Sequence, residues 1–332
     1  MIEKFNIKEK NKNFVTYIIT LYNKKIYISS VINALAKEGG SHKREYIFID
    51  DGSTDHCVLT LTIIKSKLPG RVKVIKRANM GASYSTNEAM LMAKGYWVRL
   101  LDGDDIIEYK STAKMLRLAK QKKEEFVYGL IHEKTKVFKQ ANSVNYVLQN
   151  KNEGLAKFIR NCPANSSCIL LSVKRFFMSG GCEESFVSPD QILFLRLFAS
   201  GKGVFLKETV ASMPIKQTSE SLSAQIRRSR YESILALIKF CEENQNVNKS
   251  LKKLAFKRAL SRAHNYNKSL NKSFISWHFF KYIISKFYFP KNYISLMYSS
   301  LGVFTKKNYI RKKNWRTGFE KKLTYKVQFR EY

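Results

Sequence analysis

Two adjacent carboxylates, Asp50 and Asp51, directly follow a short apolar run, Tyr46–Ile49. The run is rich in β-branched and aromatic residues, which is typical of a buried strand. Residues 52–55, GSTD, then supply the residue types that favour turns and helix caps. A buried strand followed by two acids places those acids at its carboxyl end, where open α/β sheets bind ligands. A capped turn with solvated acids would have the same local sequence, so this stretch alone leaves both interpretations open.

A second acidic cluster follows a second apolar run, Tyr96–Leu101. Gly103 lets the backbone bend, so Asp102 and Asp104 can lie on one side of a tight turn, with Asp105 next to them. Mg²⁺ and related hard cations take oxygen ligands and are commonly held by one or two carboxylates plus substrate phosphates. This D-x-D turn therefore suits a metal–diphosphate site. Such turns are common, and the spacing from the first cluster is what makes this one informative.

The segments around the two clusters alternate between strand and helix patterns. The sequence predicts strands at Phe14–Thr20, Tyr46–Ile49, Val72–Ile75, Tyr96–Leu101, Phe126–Ile131 and Cys168–Leu171, and helices at Ile26–Ala36, Val58–Ile64, Ala82–Ala93 and Gln191–Phe198. Alternation of this kind implies parallel β-α units in one sheet with short crossovers. The polar stretch Lys134–Glu153 gives no clear pattern, and the chain beyond Ser223 has a helical one.

Charge is distributed unevenly over the 332 residues, whose formal net charge is +34. From Arg227 onwards there are 25 Lys and Arg against 5 Glu and no Asp. The carboxylates that could do chemistry therefore lie in the first two thirds of the chain. An apolar fraction of 44% supports a real core, and the length suffices for one large or two modest domains.

The sequence favours a cytoplasmic protein, either free or at the inner face of the membrane. Its five cysteines form no CxxC pair and their number is odd, which is typical of reduced thiols. The five histidines do not occur at zinc-ligand spacing. The first 13 residues are polar, unlike a signal peptide, and no uncharged stretch is long enough to span a bilayer.

Taken together, the motifs resemble those of the family 2 glycosyltransferases, which have the GT-A fold. In chain order they are T-x-Y-N at Thr20–Asn23, DDGSTD at Asp50–Asp55, N-x-G at Asn79–Gly81, D-x-D-D at Asp102–Asp105, G-G-x-x-E at Gly180–Glu184, an acid before a helix at Asp190, and S-x-S at Ser221–Ser223. The resemblance covers roughly Phe14 to Ser223. It implies an α/β, GT-A-like fold with a mostly parallel nucleotide-binding sheet flanked by helices. The catalytic domain would span 1–223, with a donor half at about 14–105 and an acceptor half at about 106–223, and a basic, aromatic-rich helical extension would span 224–332.

The same resemblance implies an enzyme that moves a sugar from a nucleotide-diphosphate donor to a hydroxyl. A UDP-sugar is the first candidate donor, and the acceptor would be a saccharide or a lipid-linked saccharide. The reaction would be a metal-assisted single displacement with inversion. Position by position, the resemblance assigns the nucleotide sugar to Thr20, Tyr22, Asp51, Asn79 and Asp102, the Mn²⁺ or Mg²⁺ ion to Asp104 and Asp102, and the role of general base to Asp190.

Two departures from the family pattern affect the acceptor half. Pro189 stands where an acid often precedes Asp190, and the stretch MPIKQTSE before Ser221 lacks a His that could give a third metal contact. We also expect Asp190 to cap the helix that starts at Gln191, because Asp is a favoured N-cap residue.

Other classes of protein fit the sequence less well. A nucleotidyltransferase would need a Gly-rich phosphate loop after the first strand, and TLYNKK contains none. A non-catalytic, surface-bound basic protein that retains the fold is the alternative, although the intact acids argue against it. In the basic tail, the aromatic stretch Phe274–Phe289 fits core packing and contact with an anionic membrane equally well. Nucleic-acid binding ranks last because none of the known motifs occurs.

Overall fold

The structure, a computed structural model, describes residues 12–133, 145–214, 226–271 and 275–304. The strands of these residues form one mixed sheet with helices packed around it. In chain order the strands are β1 (Phe14–Leu21), β2 (Lys43–Asp50), β3 (Arg71–Lys76), β4 (Trp97–Asp102), β5 (Ile106–Ile107), β6 (Phe126–Glu133), β7 (Tyr146–Gln149), β8 (Ile169–Ser172) and β9 (Gly203–Met213). The predicted α/β class is confirmed.

The helices of the described residues lie between the strands and then beyond the last strand. In chain order they are α1 (Lys25–Lys37), α2 (Cys57–Ile64), α3 (Ala82–Met92), α4 (Ser111–Lys122), α5 (Lys151–Arg160), α6 (Val173–Met178), α7 (Asp190–Ala199), α8 (Ile226–Glu243), α9 (Lys249–Asn271), α10 (Trp277–Phe287) and α11 (Tyr293–Ser300). None of them has the length and apolar composition that a membrane-spanning helix requires.

The first half of the sheet is parallel, in the spatial order β3-β2-β1-β4. Its central strands β1 and β2 are buried over most of their length, because helices cover both faces, as in other parallel sheets. The registers pair Leu21 with Asp50 and Thr20 with Asp102. The carboxyl ends of β1, β2 and β4 therefore coincide, and the two acidic clusters leave the sheet at one edge.

The second half of the sheet is mixed, in the order β4-β8-β6-β9-β5, with β7 added on β9. Strand β9 runs parallel to β6 and antiparallel to β5 and β7. The sequence analysis did not predict this strand, although GVFLKETVASM contains the β-branched and aromatic residues that favour one. Its place between three other strands makes it the central element of this half.

Helix α5 and strand β7 lie in or next to the polar stretch for which the sequence gave no prediction. Asn150 caps α5 by accepting a hydrogen bond from Glu153 N, and the Glu153 side chain accepts from Asn150 N, both at 3.0 Å. This reciprocal pair is a capping box, whose N-x-x-E spacing is visible in the sequence. A search for caps would therefore have located the helix.

The helices beyond residue 225 confirm the predicted helical extension. Helix α8 packs on α7, and α9 packs on α5 and α8. Their buried residues, among them Ile234, Phe240 and Leu260, belong to the same hydrophobic cluster as the sheet. The predicted domain boundary at Ser223 lies outside the described residues and stays a prediction.

Candidate functional site

Asp51 lies one residue beyond β2, and the turn before α3 binds its carboxylate. Met80 N donates to Oδ1 at 2.7 Å, Gly81 N donates to Oδ2 at 2.6 Å, and the Arg77 guanidinium lies 3.3 Å from Oδ1. The side chain is buried, with 4% of the residue exposed. The turn therefore fixes the position of both carboxylate oxygens. The DDGSTD and N-x-G motifs thus meet through this residue.

The loop after β1 and the start of α1 are fastened to the loop after β2 by side-chain hydrogen bonds. Asn23 N donates to Ser53 Oγ at 3.0 Å, and Thr54 N donates to Asn23 Oδ1 at 2.9 Å. At the start of α1, Lys25 N donates to Asp55 Oδ2 at 2.7 Å. The later residues of DDGSTD therefore bind the neighbouring loop, and they fix the backbone that follows Tyr22.

The remaining predicted nucleotide-binding residues lie at the same edge. Thr20 is partly exposed opposite Asp102, Asn79 is exposed in its turn, and the Tyr22 side chain is 44% exposed, which leaves its ring accessible to a flat ligand. Gly52 has a φ of +81°, and a Cβ there would lie 2.7 Å from Asn79 N. Only glycine permits this close approach of the two loops.

The D-x-D turn packs tightly against the end of β1. Gly103 N donates to Thr20 O at 3.0 Å, and a Cβ on Gly103 would lie 2.7 Å from that oxygen. Asp102 ends β4, and Asp104 forms an ion pair with Lys24, both side chains being 16% exposed. The glycine thus allows both carboxylates to sit directly beside the loop of Tyr22.

The two acids of this turn fit a divalent cation that phosphates also bind. In the parts of the chain that the structure describes, no three His, Cys, Asp or Glu side chains form a ready-made metal cage. The Lys24 ammonium nevertheless shows that Asp104 holds positive charge here. Mg²⁺ needs only one or two protein carboxylates when phosphate oxygens complete its coordination, so this pair of acids meets that requirement.

Asp190 is the first residue of α7, and it does not cap the helix. The expectation that it caps a helix starting at Gln191 is wrong, because the helix begins one residue earlier and has no side-chain cap. Pro189, with a φ of −71°, suits this start. The Asp190 carboxylate turns instead to Ser166, accepting from its N at 2.8 Å and its Oγ at 3.0 Å.

Ser166 joins the candidate base to the D-x-D turn. Its Oγ lies 3.0 Å from Asp190 Oδ1 and 3.1 Å from Asp102 Oδ1. A hydroxyl has one hydrogen and can donate to only one of these carboxylates at a time. Burial raises the pKa of Asp102, and the charge of Asp105 adds to the rise. Burial also raises the pKa of Asp190, and the hydrogen bonds from Ser166 oppose that rise.

The turn that carries Ser166 is held by a fully buried arginine in β4. Arg99 donates to Ile169 O at 3.0 Å, to Val210 O at 3.1 Å and to Ser167 O. Burial lowers the pKa of this guanidinium. The sequence analysis predicted neither Ser166 nor Arg99, and no local motif marks either of them.

Asp105, the last acid of the D-x-D-D motif, turns towards the acceptor half. Asn165 Nδ2 donates to Asp105 Oδ2 at 3.0 Å. Burial raises the pKa of Asp105 to about 7, and Ser167 and Asn165 oppose the rise by hydrogen bonding. This acid is 3% exposed. Its carboxylate therefore stabilises the turn through Asn165 and is shielded from solvent.

A cavity of about 310 Å³ lies beside Asp190. Asn165, Ser188 and Ser233 provide polar groups along its lining, and Phe186 and Met213 provide apolar ones. One wall is formed by helix α8, which lies beyond the motifs found in the sequence. Helix α8 therefore borders the candidate site directly.

The G-G-x-x-E segment has a supporting role. Gly180 and Gly181 have φ values of +89° and +65°, and Asn87 of α3 donates to Cys182 O at 2.9 Å and to Glu184 Oε1 at 3.0 Å. These contacts join the donor half to the loop before α7. The S-x-S motif at Ser221–Ser223 lies outside the described residues.

With this geometry in view, comparison with known proteins identifies the first half of the chain. Residues 16–174 match the family model described as glycosyl transferase family 2. This part of the chain is a family 2 glycosyltransferase domain. The matched range includes both acidic clusters and Ser166, and it ends before Asp190.

Curated relatives match about a third of this chain. An uncharacterized glycosyltransferase of Nostoc sp. is 30% identical over 36% of this chain and 35% of its own length. The poly(ribitol-phosphate) β-N-acetylglucosaminyltransferase TarS of Staphylococcus aureus is 32% identical over 29% of this chain and 17% of its own. The matches thus span about a third of the first relative and less than a fifth of the second.

Solved structures resemble the family 2 domain and much of the chain beyond residue 174. TarS 1–349 of S. aureus in complex with UDP-GlcNAc has a TM-score of 0.62 at 15% identity, covering 87% of this chain and 89% of that one. The mannosyltransferase PcManGT of Pyrobaculum calidifontis, in complex with GDP-Man and Mn²⁺, has a TM-score of 0.56 at 12% identity, covering 96% and 88%. These likenesses establish the GT-A-like fold.

Proposed function

We propose that the protein transfers a sugar from a nucleotide-diphosphate donor to a hydroxyl acceptor, with inversion in a single displacement. The observation that carries the proposal is the link from Asp102 through Ser166 to Asp190. Through this link Asp190, the proposed general base, lies next to Asp102 of the D-x-D turn and beside a cavity. The TarS complex with UDP-GlcNAc supports a UDP-sugar as the first donor to test.

On this proposal the donor lies along the carboxyl ends of β1, β2 and β4. Asp51 accepts a hydrogen bond from the nucleobase, and two backbone amides hold its carboxylate in position. Thr20, Tyr22 and Asn79 border the nucleoside, and the open ring of Tyr22 offers a stacking face. Asp102 lies next to the diphosphate and the sugar.

Asp104 and Asp102 would hold Mn²⁺ or Mg²⁺ together with the donor phosphates. When bound, the metal supplies positive charge that neutralises the departing diphosphate. PcManGT, whose solved complex contains Mn²⁺, supports the use of a divalent metal. In this structure the Lys24 ammonium pairs with the Asp104 carboxylate and supplies the positive charge that the metal would supply when bound.

Asp190 acts on the acceptor. Its carboxylate takes the proton of the acceptor hydroxyl while that oxygen bonds to the anomeric carbon, and the bond from the carbon to the diphosphate breaks. A raised pKa makes Asp190 a stronger base than an ordinary carboxylate. Ser166 orients the carboxylate through two hydrogen bonds. A single displacement needs no covalent enzyme intermediate.

The cavity beside Asp190 would take the acceptor. Its volume of about 310 Å³, with polar groups along the lining and one aromatic side chain, suits a saccharide unit of a glycan or of a lipid-linked chain. Relatives whose names refer to teichoic acid or poly(ribitol-phosphate) make envelope polymers the first acceptors to test.

We further propose that helix α10 rests on an anionic membrane surface, which would place the enzyme at the inner face of the membrane. Phe279 and Tyr282 pack on His264 of α9. The opposite face exposes an apolar row at helical spacing: Trp277 (68%), Phe280 (48%), Ile284 (54%) and Phe287 (83%). Residues 244–304 contain 11 Lys and Arg and no acid. An apolar row with basic surroundings fits lipid headgroups of negative charge.

Turnover of a panel of UDP- and GDP-sugars, with and without Mn²⁺, tests the main proposal. Release of nucleotide diphosphate that depends on the sugar donor and on an acceptor would support transfer. A protein that binds lipid and leaves every donor intact would instead be the non-catalytic surface protein.

A further inference from the structure

Glu232 of α8 lies outside the family 2 match, yet its carboxylate binds the loop that leads to Asp190. Val187 N donates to Oε1 at 2.9 Å and Ser188 N donates to Oε2 at 3.0 Å. Two consecutive backbone amides are thus held by the two oxygens of one side chain. Hydrogen bonds to a carboxylate are about twice as strong as those between neutral groups, so this contact fixes the backbone immediately before α7.

Glu232 is itself held in place. Arg228, one helical turn earlier, donates to Oε1 at 3.1 Å, and Glu232 is 5% exposed. Further along α8, Glu243 accepts from Arg196 of α7 at 2.9 Å, and Lys239 lies 3.5 Å from Glu183. These ion pairs fasten α8 to α7 and to the G-G-x-x-E segment.

Ser188 transmits this contact to the candidate base. Its N–H donates to Glu232, and its hydroxyl donates to Asp190 Oδ2 at 3.3 Å. Ser166 holds the other oxygen of Asp190 from the opposite side. The carboxylate is therefore oriented by two serines, and one of them depends on Glu232.

We propose that Glu232 is a positioning residue for Asp190, acting through the amides of Val187 and Ser188 and the hydroxyl of Ser188. This rests on the proposed function, in which Asp190 is the general base. Glu232 touches no reacting atom in this proposal. Its effect comes from geometry, since a displacement of about 1 Å in a reacting group can cost about 100-fold in rate.

The substitution Glu232→Gln preserves size and replaces one carboxylate oxygen by an NH₂ group. If the group replaces Oε2, Ser188 N loses its acceptor, and if it replaces Oε1, Val187 N and Arg228 lose theirs. Glu243→Gln is the matched control, because it removes a carboxylate from the same helix that contacts α7 rather than the loop. Both variants are first compared with the unchanged protein by thermal melting.

Hydrogen exchange measures the contact without any need for turnover. In Glu232→Gln, whichever amide of Val187 or Ser188 faces the new NH₂ group should exchange at least about tenfold faster, since a lost hydrogen bond of about 1.4 kcal/mol corresponds to that factor. In Glu243→Gln these two amides should keep their rates. Equal rates in Glu232→Gln and the unchanged protein would overturn the inference, whatever the protein catalyses.

Kinetics then measure the consequence. We expect Glu232→Gln to lower kcat by about 10- to 100-fold while the Kd for UDP, measured by calorimetry, stays the same. Ser188→Ala should lower kcat as well, and the double variant should lose little more than Glu232→Gln alone, because residues that act in series are not additive. Faster exchange with an unchanged kcat, or fully additive losses, would refute the positioning role. An unchanged protein without turnover on any donor would refute the proposed function instead, and the exchange rates would still decide whether Glu232 holds the loop.

Discussion

The ammonium of Lys24, at the end of the loop after β1, is paired with the carboxylate of Asp104 in the D-x-D turn. The pair joins two motifs that lie 80 residues apart in the chain. A cation bound by Asp104 and by donor phosphates would take the place of this ammonium. The nucleotide loop and the proposed metal turn are therefore electrostatically coupled.

Asp104→Ala should abolish metal-dependent turnover and leave the fold intact, because the residue lies on a loop at a strand end. We expect the variant to lose Mn²⁺ binding in the presence of UDP, as measured by electron paramagnetic resonance. We also expect it to lose sugar transfer. Lys25→Gln, an exposed neighbour of the paired lysine, serves as the control. Full activity of Asp104→Ala in EDTA would disprove the metal assignment.

Asp51→Asn should weaken nucleotide binding by about 10- to 100-fold, since a hydrogen bond to a charged acceptor contributes about 1.5–3 kcal/mol. The amide also presents a donor to Met80 N or Gly81 N, so the variant should melt earlier without ligand. Calorimetry measures the affinity for UDP, and thermal melting measures the loss of stability, so the two effects can be told apart. A lower melting temperature with unchanged affinity would make Asp51 a turn residue only.

The parallel half of the sheet could be predicted because its signals are local. Each strand is a short apolar run that ends in a turn motif, and parallel topology then brings Asp51 and the D-x-D turn to one edge. Helix α5 was also predictable, since the capping box of Asn150 and Glu153 is a spacing of three residues.

The rest of the site depends on contacts that no local pattern encodes. Ser166 meets Asp102 across 64 residues, Arg99 meets Val210 across 111, and Glu232 meets Val187 across 45. A serine in a polar loop, an arginine in a strand and a glutamate in a helix are ordinary residues in the sequence. Their roles follow from tertiary packing, which also turned Asp190 away from the capping role expected of it.

His42 should make the fold less stable in acid. Burial lowers its pKa from 6.5 to about 4, and Arg44 and Lys120 add to the effect. The unfolded chain therefore binds more protons than the folded one between pH 6.5 and about 4, and stability falls as the pH drops through that range, by up to about 3 kcal/mol. Burial raises the pKa of Glu38 from 4.5, and Tyr17 contacts both Glu38 and His42. The folded chain therefore holds the Glu38 proton more tightly than the unfolded one, which opposes the trend above pH 4.5.

Denaturant unfolding of His42→Gln at several pH values isolates the histidine. Gln keeps a side-chain donor for Tyr17 and does not titrate, so the variant should lose less stability between pH 6.5 and 4 than the unchanged protein. His56→Asn, at an exposed left-handed position where Asn is well tolerated, is the control. Parallel pH curves for His42→Gln and the unchanged protein would contradict the prediction.

Asp190→Asn should lower the rate of transfer by about 10²–10⁴-fold, the usual contribution of a general base. The amide can keep every hydrogen bond in place, with its oxygen towards Ser166 and its NH₂ towards the hydroxyl of Ser188. The Kd for UDP and the melting temperature should therefore change little. A variant that remains active, or one that loses activity only by unfolding, would leave Asp190 with a structural role.

Binding of α10 to lipid should need acidic headgroups and should fall steeply with salt. Each basic residue near such a surface contributes about 1 kcal/mol, and the attraction fades within a Debye length. The apolar row adds a contribution to the free energy of binding that salt does not screen. The double variant Trp277→Ser/Phe287→Ser should therefore weaken binding to lipid by about tenfold or more.

Point variants are the sharper test of that surface, because a chain ending near Ser223 would lose α8 and α9 and expose the apolar faces of α5 and α7 that they cover. The measurement is sedimentation with neutral and acidic liposomes at low and high salt. Ile63→Ser, which removes a 77% exposed apolar residue from α2, controls for general loss of surface hydrophobicity. Sedimentation that is equal with both kinds of liposome, or equal for the α10 variant and the control, would leave the exposed row of α10 without a role at the membrane. Loss confined to the α10 variant and to acidic lipid would instead fix the orientation of the enzyme, with α10 against the bilayer.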